Sequence, residues 1–178
     1  RGPTIRVPQL KQLLANKISR TGWFKEGKGS LVLLDAAYTL REPANHDEFL
    51  RKHYGLQFAD RILQEAHSDY LKCCLPGAAH FNLDIASYPG KYERASLYPP
   101  ALFGQYIMLL NVDKGDSVVE YGRGHSGGML FAARAWWLLK MYGMRDVAVL
   151  EGGHEKWKEE GGETTSGVEQ LEGWHDDA

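Results

Sequence analysis

The strand, turn, helix and second strand in the last third of the chain constrain its fold more than any other feature. Ser117–Tyr121 and Asp146–Leu150 are short apolar runs bounded by turn residues, which is typical of strands buried on both faces of a sheet. A glycine-rich turn at residues 122–128 and an apolar helix at residues 129–142 join them. Such a crossover connects parallel strands. The sequence therefore predicts an α/β fold, with a parallel sheet of about four or five strands and helices on both faces.

Upstream segments fit the same layered arrangement. Residues 31–34 (LVLL) run straight into Asp35 and predict another buried strand, and residues 78–84 (AAHFNLD) predict one more. The polar, helix-prone stretch at residues 46–72 is predicted to form two helices divided at Gly55. The remaining predicted elements are a helix at 7–17, a glycine-punctuated loop at 22–29, a helix from Pro99 to about Leu110 and a short helix around Trp157.

Length and composition place most of the chain in one folded domain. With 178 residues, 43% of them hydrophobic and 25% charged, the chain suits a single globular domain with one core. We predict this domain at residues 1–162, with an apparent helical insertion at about 50–72, followed by a polar tail or interdomain linker at 163–178. The net charge of −2 and the lack of an apolar run as long as a bilayer span predict no nucleic-acid partner and no membrane partner.

Cysteine and histidine placement argues against disulfides, metals and cofactors. The two cysteines, Cys73 and Cys74, are adjacent and cannot close loops, so we expect a reducing compartment, cytoplasmic or mitochondrial rather than secreted. Three histidines lack the spacing of metal ligands: His53, His67 and His80. We therefore predict no metal site and no cofactor. The start at Arg1, without a methionine or a signal peptide, is consistent with a piece of a longer protein.

The turn at residues 122–128 is the candidate site, because ligands of open α/β sheets bind beside the carboxyl ends of strands. Its G-x-G-x-x-G pattern, through Gly122, Gly124 and Gly127, matches the dinucleotide-binding fingerprint. Glu151 supplies the acid expected at the end of the next strand. A dinucleotide-binding half needs a further helix and strand, for which too few residues follow Glu151. A dinucleotide-binding domain is therefore a minor alternative.

A serine esterase is the second minor alternative. A G-x-S-x-G pattern followed by an acid and a histidine has the chain order of a catalytic triad, through Gly124, Ser126, Gly128, Asp146 and His154. Gly122 and Arg123 separate this pattern from the strand, whereas a nucleophile elbow leaves its strand almost at once. The chain is also short for that fold.

Several segments resemble the rhodanese family in the same order along the chain. Residues 118–121 (VVEY), 132–137 (AARAWW) and 147–157 (VAVLEGGHEKW) resemble the family's strand, helix and V-x-x-L-x-GG-x-x-x-W segment. Upstream, residues 31–38 (LVLLDAAY) and 75–84 (LPGAAHFNLD) resemble its LLDASWY and IPGAxFFDID segments. The resemblance is closest to the amino-terminal, cysteine-free domain of tandem thiosulfate and 3-mercaptopyruvate sulfurtransferases.

The resemblance implies what an active loop would contain. Active members carry a cysteine directly after the VV-x-Y strand, where convergent N–H groups and the helix dipole yield a thiolate that carries sulfane sulfur as a persulfide. This position is Gly122 here, and no cysteine follows Cys74. We therefore predict a catalytically inert domain whose partner is a second, active rhodanese domain of the same chain. The alternative is a rhodanese-like binding or regulatory module without chemistry in any context. Cys73 and Cys74 are expected to be buried or idle.

Two further contributions follow from the resemblance and the helix pattern. Asp84 matches an acid that such halves contribute to a shared cleft, whereas Asn82 replaces the family's first acid and Arg94 stands nearest to its histidine. Trp137 falls on the outer side of the helix at residues 129–142. We expect it to be partly exposed and to contact the second domain.

The loop itself is predicted to keep a weak site for sulfate, phosphate or a similar small anion, including sulfur-containing ones. Free N–H groups at a helix amino terminus remain without the cysteine, Arg123 adds a positive charge, and His125 adds another at lower pH. The residues of this degenerate loop are Gly122, Arg123, Gly124, His125, Ser126, Gly127 and Gly128.

Overall fold

A five-stranded parallel sheet forms the centre of the molecule. The computed structural model describes residues 2–16 and 29–176. The strands are β1 (Thr4–Ile5), β2 (Leu31–Asp35), β3 (Ala79–His80), β4 (Ser117–Tyr121) and β5 (Asp146–Leu150). Their spatial order is β1-β5-β4-β2-β3, and each neighbouring pair is parallel. All carboxyl ends therefore lie along one edge, and the predicted α/β class is confirmed.

Helices cover both faces of the sheet. They are α1 (Val7–Asn16), α2 (His46–Lys52), α3 (Phe58–Gln64), α4 (Ser68–Lys72), α5 (Leu83–Ala86), α6 (Pro100–Leu109), α7 (Met129–Met141), α8 (Gly153–Glu159) and α9 (Gly167–Asp176). A short 3-10 turn at His125–Gly128 lies between β4 and α7. No helix within residues 2–16 and 29–176 is long and apolar enough to cross a bilayer.

Alternation along the strands divides the core into two layers. Successive strand side chains point to opposite faces, so Val32 and Val118 pack with α6 and α7, whereas Leu33 and Val119 pack with α1 and α8. Both layers are apolar, which explains why the strand sequences are nearly continuous hydrophobic runs rather than alternating ones.

The stretch at residues 46–72 forms three helices rather than the predicted two. Gly55 and Gln57 adopt left-handed backbone, with φ of 66° and 58°, between α2 and α3, in agreement with the predicted division at Gly55. A second break occurs at His67, whose Nδ1 accepts a hydrogen bond from the Asp69 N–H at 3.1 Å and caps α4. Histidine is not a usual capping residue, so the sequence carried no signal for this break.

The predicted strand at residues 78–84 is too long, because β3 ends at His80. The Asn82 side chain accepts a hydrogen bond from the Asp84 N–H at 2.9 Å and begins α5. Asparagine is a preferred helix N-cap, and this local bond outweighs the apolar alternation of the segment.

Residues 163–178, predicted as a polar tail or linker, fold in part onto the domain. Cys74 and Thr165 pair as an antiparallel bridge, α9 follows, and Leu171 is buried in the core. Sequence reasoning missed this helix, although Val168, Leu171 and Trp174 recur at a spacing of three residues. The folded unit continues past residue 162, and a linker role for the segment stays a prediction. The predicted loop at 22–29 lies outside the described residues except for Gly29.

Candidate functional site

The degenerate loop lies where the sequence predicts it, between the carboxyl end of β4 and the start of α7. Asp35 pairs in register with both Tyr121 and His80, so the ends of β2, β3 and β4 meet at this edge. Gly124, Gly127 and Gly128 all have positive φ. Ser126 also has positive φ (56°), a conformation that is uncommon for a residue with a side chain. The loop is therefore a tight, glycine-dependent turn at the ligand-binding edge of the sheet.

The structure separates the residues of the serine esterase alternative. Ser126 follows the carboxyl end of β4, whereas Asp146 opens β5 at the opposite edge, where its Oδ2 accepts a hydrogen bond from the Ser117 hydroxyl at 2.6 Å. Five-residue strands lie between the two edges, which is roughly 16 Å of sheet. This separation rules out a catalytic triad of Ser126, His154 and Asp146.

The strand beside β5 argues against the dinucleotide-binding alternative. Glu151 accepts a hydrogen bond from the Thr4 hydroxyl at 2.7 Å and lies 3.6 Å from the Arg6 guanidinium. The partner of β5 on that side is β1 (Thr4–Ile5), so the amino-terminal strand occupies the place of the further strand that a dinucleotide-binding half needs.

Gly122, the position of the missing cysteine, has no room for a side chain. It is buried, its carbonyl oxygen accepts a hydrogen bond from the His154 N–H at 3.0 Å, and a Cβ added to it would collide with the Gly128 carbonyl oxygen. A nucleophile at this position would require the backbone of the loop to move. The loop therefore differs from an active one in shape as well as in the loss of a thiol.

Arg123 points into the molecule, which corrects the expectation that it adds a free positive charge to the loop. Its guanidinium pairs with the fully buried Asp35 carboxylate and donates to the Cys73 carbonyl oxygen at 2.6 Å. Burial disfavours the charged form, but the Asp35 carboxylate outweighs it and raises the pKa of Arg123. The charge is thus used within the chain, where it ties the loop to the ends of β2 and α4.

A second feature of the predicted anion site is also used internally. The Gly124 N–H lies 3.4 Å from the Glu155 Oε1 atom, so a carboxylate of this chain already faces the amide. An anion entering the loop would meet that negative charge. Anion binding at residues 122–128 stays a prediction, with less support from the loop than the sequence suggested.

Asp84 and Arg94 are brought together by a tyrosine that the sequence analysis did not single out. The Tyr38 hydroxyl donates to Asp84 Oδ1 at 2.7 Å and lies 3.4 Å from an Arg94 nitrogen. Burial is the main reason why the pKa of Tyr38 is raised. Asn82 has a structural role, since its Oδ1 caps α5 and its Nδ2 donates to the Glu65 carbonyl oxygen at 2.9 Å.

A polar groove connects these residues to the degenerate loop. One cavity of about 430 Å³ reaches Cys73, Arg123 and Gly124, and a neighbouring cavity of about 300 Å³ reaches His80 and Asp84. Both cavities are lined by Ala37, Tyr38 and His67. Burial lowers the pKa of His67 and of His80, so both imidazoles face the groove as neutral groups at pH 7. The signal that could have found the groove is position, since Ala37, Asp84 and Arg123 each follow the carboxyl end of a strand.

The two adjacent cysteines have different surroundings. Cys74 is fully buried, and burial raises the pKa of its thiol to about 12, which leaves it inert near neutral pH. Cys73 is half-buried and lines the groove beside Arg123. The expectation of a buried cysteine is thus confirmed for Cys74, whereas an idle role for Cys73 stays a prediction.

The outer face of α7 carries the exposed tryptophan that the helix pattern predicts. Trp137 is 41% exposed, and the Arg134 guanidinium lies 4.6 Å from its ring centre. Leu130 and Met141 are exposed beside it, whereas Ala135 and Leu138 face the core. The exposure of Trp137 is confirmed, and its contact with a second domain stays a prediction. In the described residues no group of three or more His, Cys, Asp or Glu side chains could hold a metal ion.

Comparison with known proteins assigns the family. The sequence model of the rhodanese-like domain matches residues 61–160. The chain is 41% identical over 136 residues to the Caenorhabditis elegans protein mpst-4, named as a thiosulfate sulfurtransferase, a match that covers 76% of this chain and 49% of that protein. It is 33% identical over 103 residues to the thiosulfate sulfurtransferase of Bos taurus, covering 58% of this chain and 34% of that protein.

The fold matches solved structures at low sequence identity. The 3-mercaptopyruvate sulfotransferase SseA from Escherichia coli has a TM-score of 0.62 at 18% identity, over 93% of this chain and 52% of that chain. The chain spans about half or less of the length of the curated relatives it matches. On the family match, the sequence relatives and the sheet, the chain belongs to the rhodanese-like domain family and is related to the thiosulfate and 3-mercaptopyruvate sulfurtransferases.

Proposed function

We propose that this chain is the catalytically inert rhodanese-like domain of a two-domain sulfurtransferase. A second domain carries the reactive cysteine and transfers sulfur from thiosulfate or 3-mercaptopyruvate. The observation that carries the proposal is Gly122, which stands where an active domain has its nucleophile and whose surroundings exclude a side chain. Without a thiolate at that position the loop cannot accept a sulfane sulfur.

The polar groove supports a role in a shared cleft. It presents Asp84 and Tyr38, joined by a hydrogen bond, at the edge of the sheet where α/β domains bind their ligands. In a two-domain protein these groups would position a substrate or a proton near the cysteine of the other domain. This chain would supply shape and polarity, and the partner domain would supply the nucleophile.

The exposed face of α7 supports a contact with that second domain. Trp137, Leu130 and Met141 form an apolar stripe that one domain alone leaves in water. A stripe of this kind, flanked by arginine, has the composition of an interface. The proposed partner is therefore the second rhodanese domain of the same chain. The proposed cellular setting is the cytoplasm or the mitochondrion, where thiols stay reduced.

Activity measurements on the purified chain test this proposal. We expect no thiocyanate from thiosulfate and cyanide above the level of buffer, with no change in a Cys73→Ser, Cys74→Ser variant. The whole protein should form thiocyanate, and a cysteine-to-serine change in its second domain should abolish the activity. Thiocyanate formation by the 178-residue chain that disappears in Cys73→Ser would refute the proposed division of labour.

A binding or regulatory module without chemistry is the second candidate function. The Arg123–Asp35 ion pair and the Glu155 carboxylate beside the Gly124 N–H favour it, since both engage groups that an anionic substrate would use. The two candidate functions predict different sequences in the reading frame that encodes this chain. A second rhodanese domain with a C-x-x-G-x-R loop supports the sulfurtransferase, and a frame without one supports the module.

A further inference from the structure

The strap, defined as residues 165–176, pairs with the chain between α4 and β3. The Cys74 N–H donates to the Thr165 carbonyl oxygen at 2.8 Å, and the Thr165 N–H donates to the Cys74 carbonyl oxygen at 2.9 Å. The Ser166 hydroxyl donates to the Leu71 carbonyl oxygen at 3.2 Å. The strap is therefore hydrogen-bonded to the end of α4 and to the connection that leads into β3.

Helix α9 adds three further contacts to the strap. The Gly77 N–H donates to Gln170 Oε1 at 2.8 Å, and Leu171 is buried in the core. Gly167 lies so close to Tyr70 that an added Cβ would collide with the Tyr70 carbonyl oxygen. The contact is therefore specific, but Leu171 is the only large apolar side chain of α9 that is buried among those the structure describes. Elements with few buried apolar contacts open at a lower free energy than the whole fold.

The strap reaches the polar groove through Cys73. The Cys73 carbonyl oxygen accepts a hydrogen bond from the Arg123 guanidinium at 2.6 Å, and Lys72, Cys73 and Arg123 all line the larger cavity of the groove. The strap bonds to the backbone on either side of this pair, at Leu71 and at Cys74. One wall of the groove is therefore held in place by the strap as well as by Arg123.

The Cys74 thiol reports whether the strap is bound. Cys74 is fully buried, and burial is the main reason why the pKa of its thiol is raised to about 12. The Glu169 carboxylate of α9 adds a smaller increase to that pKa. Release of the strap would remove part of the burial and also this carboxylate, so the thiol would become both more accessible and more acidic.

We propose that residues 165–176 form a releasable strap that controls access to Cys74 and fixes the groove wall at Lys72 and Cys73. When it is bound, the strap keeps the Cys74 thiol closed and holds the Cys73 carbonyl against Arg123. When it is released, two adjacent thiols become accessible beside the groove and the wall is free to move. Only the origin of the release rests on the proposed function: in a two-domain protein the strap joins the domains, so their arrangement biases it.

Labelling of the Cys74 thiol by dithionitrobenzoate tests the strap, in a Cys73→Ser background that leaves a single thiol. Leu171→Ala removes the buried side chain of α9 and should speed the labelling at least about tenfold, because it favours the released strap. Val168→Ala is the matched control, since Val168 is 46% exposed on the same helix, and it should leave the rate unchanged. Equal rates in Leu171→Ala and in the background protein would overturn the proposal.

A core variant separates release of the strap from unfolding of the whole domain. Leu10→Ala truncates a fully buried side chain in the core layer on the other face of the sheet, so it lowers global stability without touching the strap. It should leave Cys74 labelling unchanged in the absence of denaturant. Acceleration equal to that in Leu171→Ala would mean that Cys74 is exposed only by global unfolding, which overturns the strap.

The urea dependence of labelling decides the question if either variant does not fold, because it needs only the Cys73→Ser protein. A slope well below that of global unfolding supports a local release, whereas a slope as steep as that of global unfolding overturns it. None of these rates depends on sulfur transfer, so they test the strap separately from the proposed function.

Discussion

The degenerate loop and helix α3 each hold a largely buried arginine, and the two arginines are paired over very different distances along the chain. Arg123 pairs with Asp35, 88 residues away, whereas Arg61 pairs with Glu65, one turn further along at the C-cap of the same helix. The loop pair therefore holds the ends of β2 and β4 together, while the Arg61–Glu65 pair lies within one helix. The loop position depends on the strand register, and the helix position depends on local sequence.

The largest expected effect comes from breaking the ion pair that closes the loop. Asp35→Ala leaves the Arg123 guanidinium, which is 12% exposed, without its counter-charge. We expect the free energy of unfolding to fall by about 3–5 kcal/mol, because an uncompensated buried charge is costly. Urea unfolding followed by tryptophan fluorescence measures the change.

An exposed pair supplies the matched control for that variant. Arg6 lies 3.6 Å from Glu151, and the two side chains are 76% and 45% exposed. Arg6→Ala should change the free energy of unfolding by less than about 0.5 kcal/mol, since exposed pairs contribute little. Equal losses in Asp35→Ala and Arg6→Ala would mean that the loop is not held by its ion pair.

A cysteine at position 122 should destabilise the loop and should not restore sulfur transfer. Gly122→Cys forces a Cβ into the Gly128 carbonyl oxygen, and we expect a loss of about 2–3 kcal/mol in the free energy of unfolding, as for other overpacked sites. Thiocyanate formation should stay at the level of the native chain. Gly124→Ala is a useful control, since a Cβ there has open space and meets strain only from its positive φ. Efficient turnover by Gly122→Cys would show that the loop readily adopts the active shape.

A buried carboxyl group in β4 extends the comparison, because it has no ion-pair partner in the described residues. Glu120 lies in β4 next to the loop, is fully buried, and has no partner for either carboxylate oxygen in the described residues. Burial raises the pKa of Glu120 well above its ordinary value, because it favours the protonated form in the folded chain. Glu120→Met should stabilise the fold by about 1–2 kcal/mol at pH 7, because it removes an unsatisfied polar group without leaving a cavity.

The same glutamate gives stability a pH dependence of known sign. Since the folded pKa is raised, the fold gains its full contribution below the unfolded pKa of about 4.3 and loses it as the pH rises towards the folded value. The native chain should therefore become less stable between pH 5 and 8 relative to Glu120→Gln, which cannot ionise. Parallel pH profiles for the two proteins would show that Glu120 is solvated or paired.

Sequence reasoning found the sheet and the loop because both depend on local patterns. Buried strands such as Leu31–Asp35 are continuous apolar runs, and the turn after β4 is marked by its glycines. It missed β3's early end because the Asn82 cap is a single local bond, and it missed α9 because the polar composition of that segment outweighed its short apolar repeat. The end of β3 is thus decided by a contact that periodicity does not encode.

The sequence predicted where the candidate site lies, but it did not predict which side chains contact each other there. Gly122 and the exposed side of Trp137 follow from motif spacing and helix geometry. The inward direction of Arg123 depends on Asp35, which lies 88 residues away along the chain. The contacts of Tyr38 with Asp84 and Arg94 span 46 and 56 residues. Long-range pairings of this kind become visible only once the strand register brings the carboxyl ends together.

The smallest expected effect concerns anion binding at the loop. Glu155→Gln removes the carboxylate that faces the Gly124 N–H, so sulfate should bind at least about twofold more tightly than to the native chain, a change within the range of exposed helix-end effects. The amide signals of Gly124, Ser126 and Gly127 measure this during sulfate titration at constant ionic strength. Glu159→Gln, an exposed change of equal charge on α8, controls for the general loss of negative charge. If sulfate binding is saturable and its affinity rises only in Glu155→Gln, the loop still attracts anions. The Glu155 carboxylate then weakens that attraction in the native chain. The same non-saturating shifts in all three proteins would mean that the loop is closed to anions by its shape rather than by the Glu155 charge.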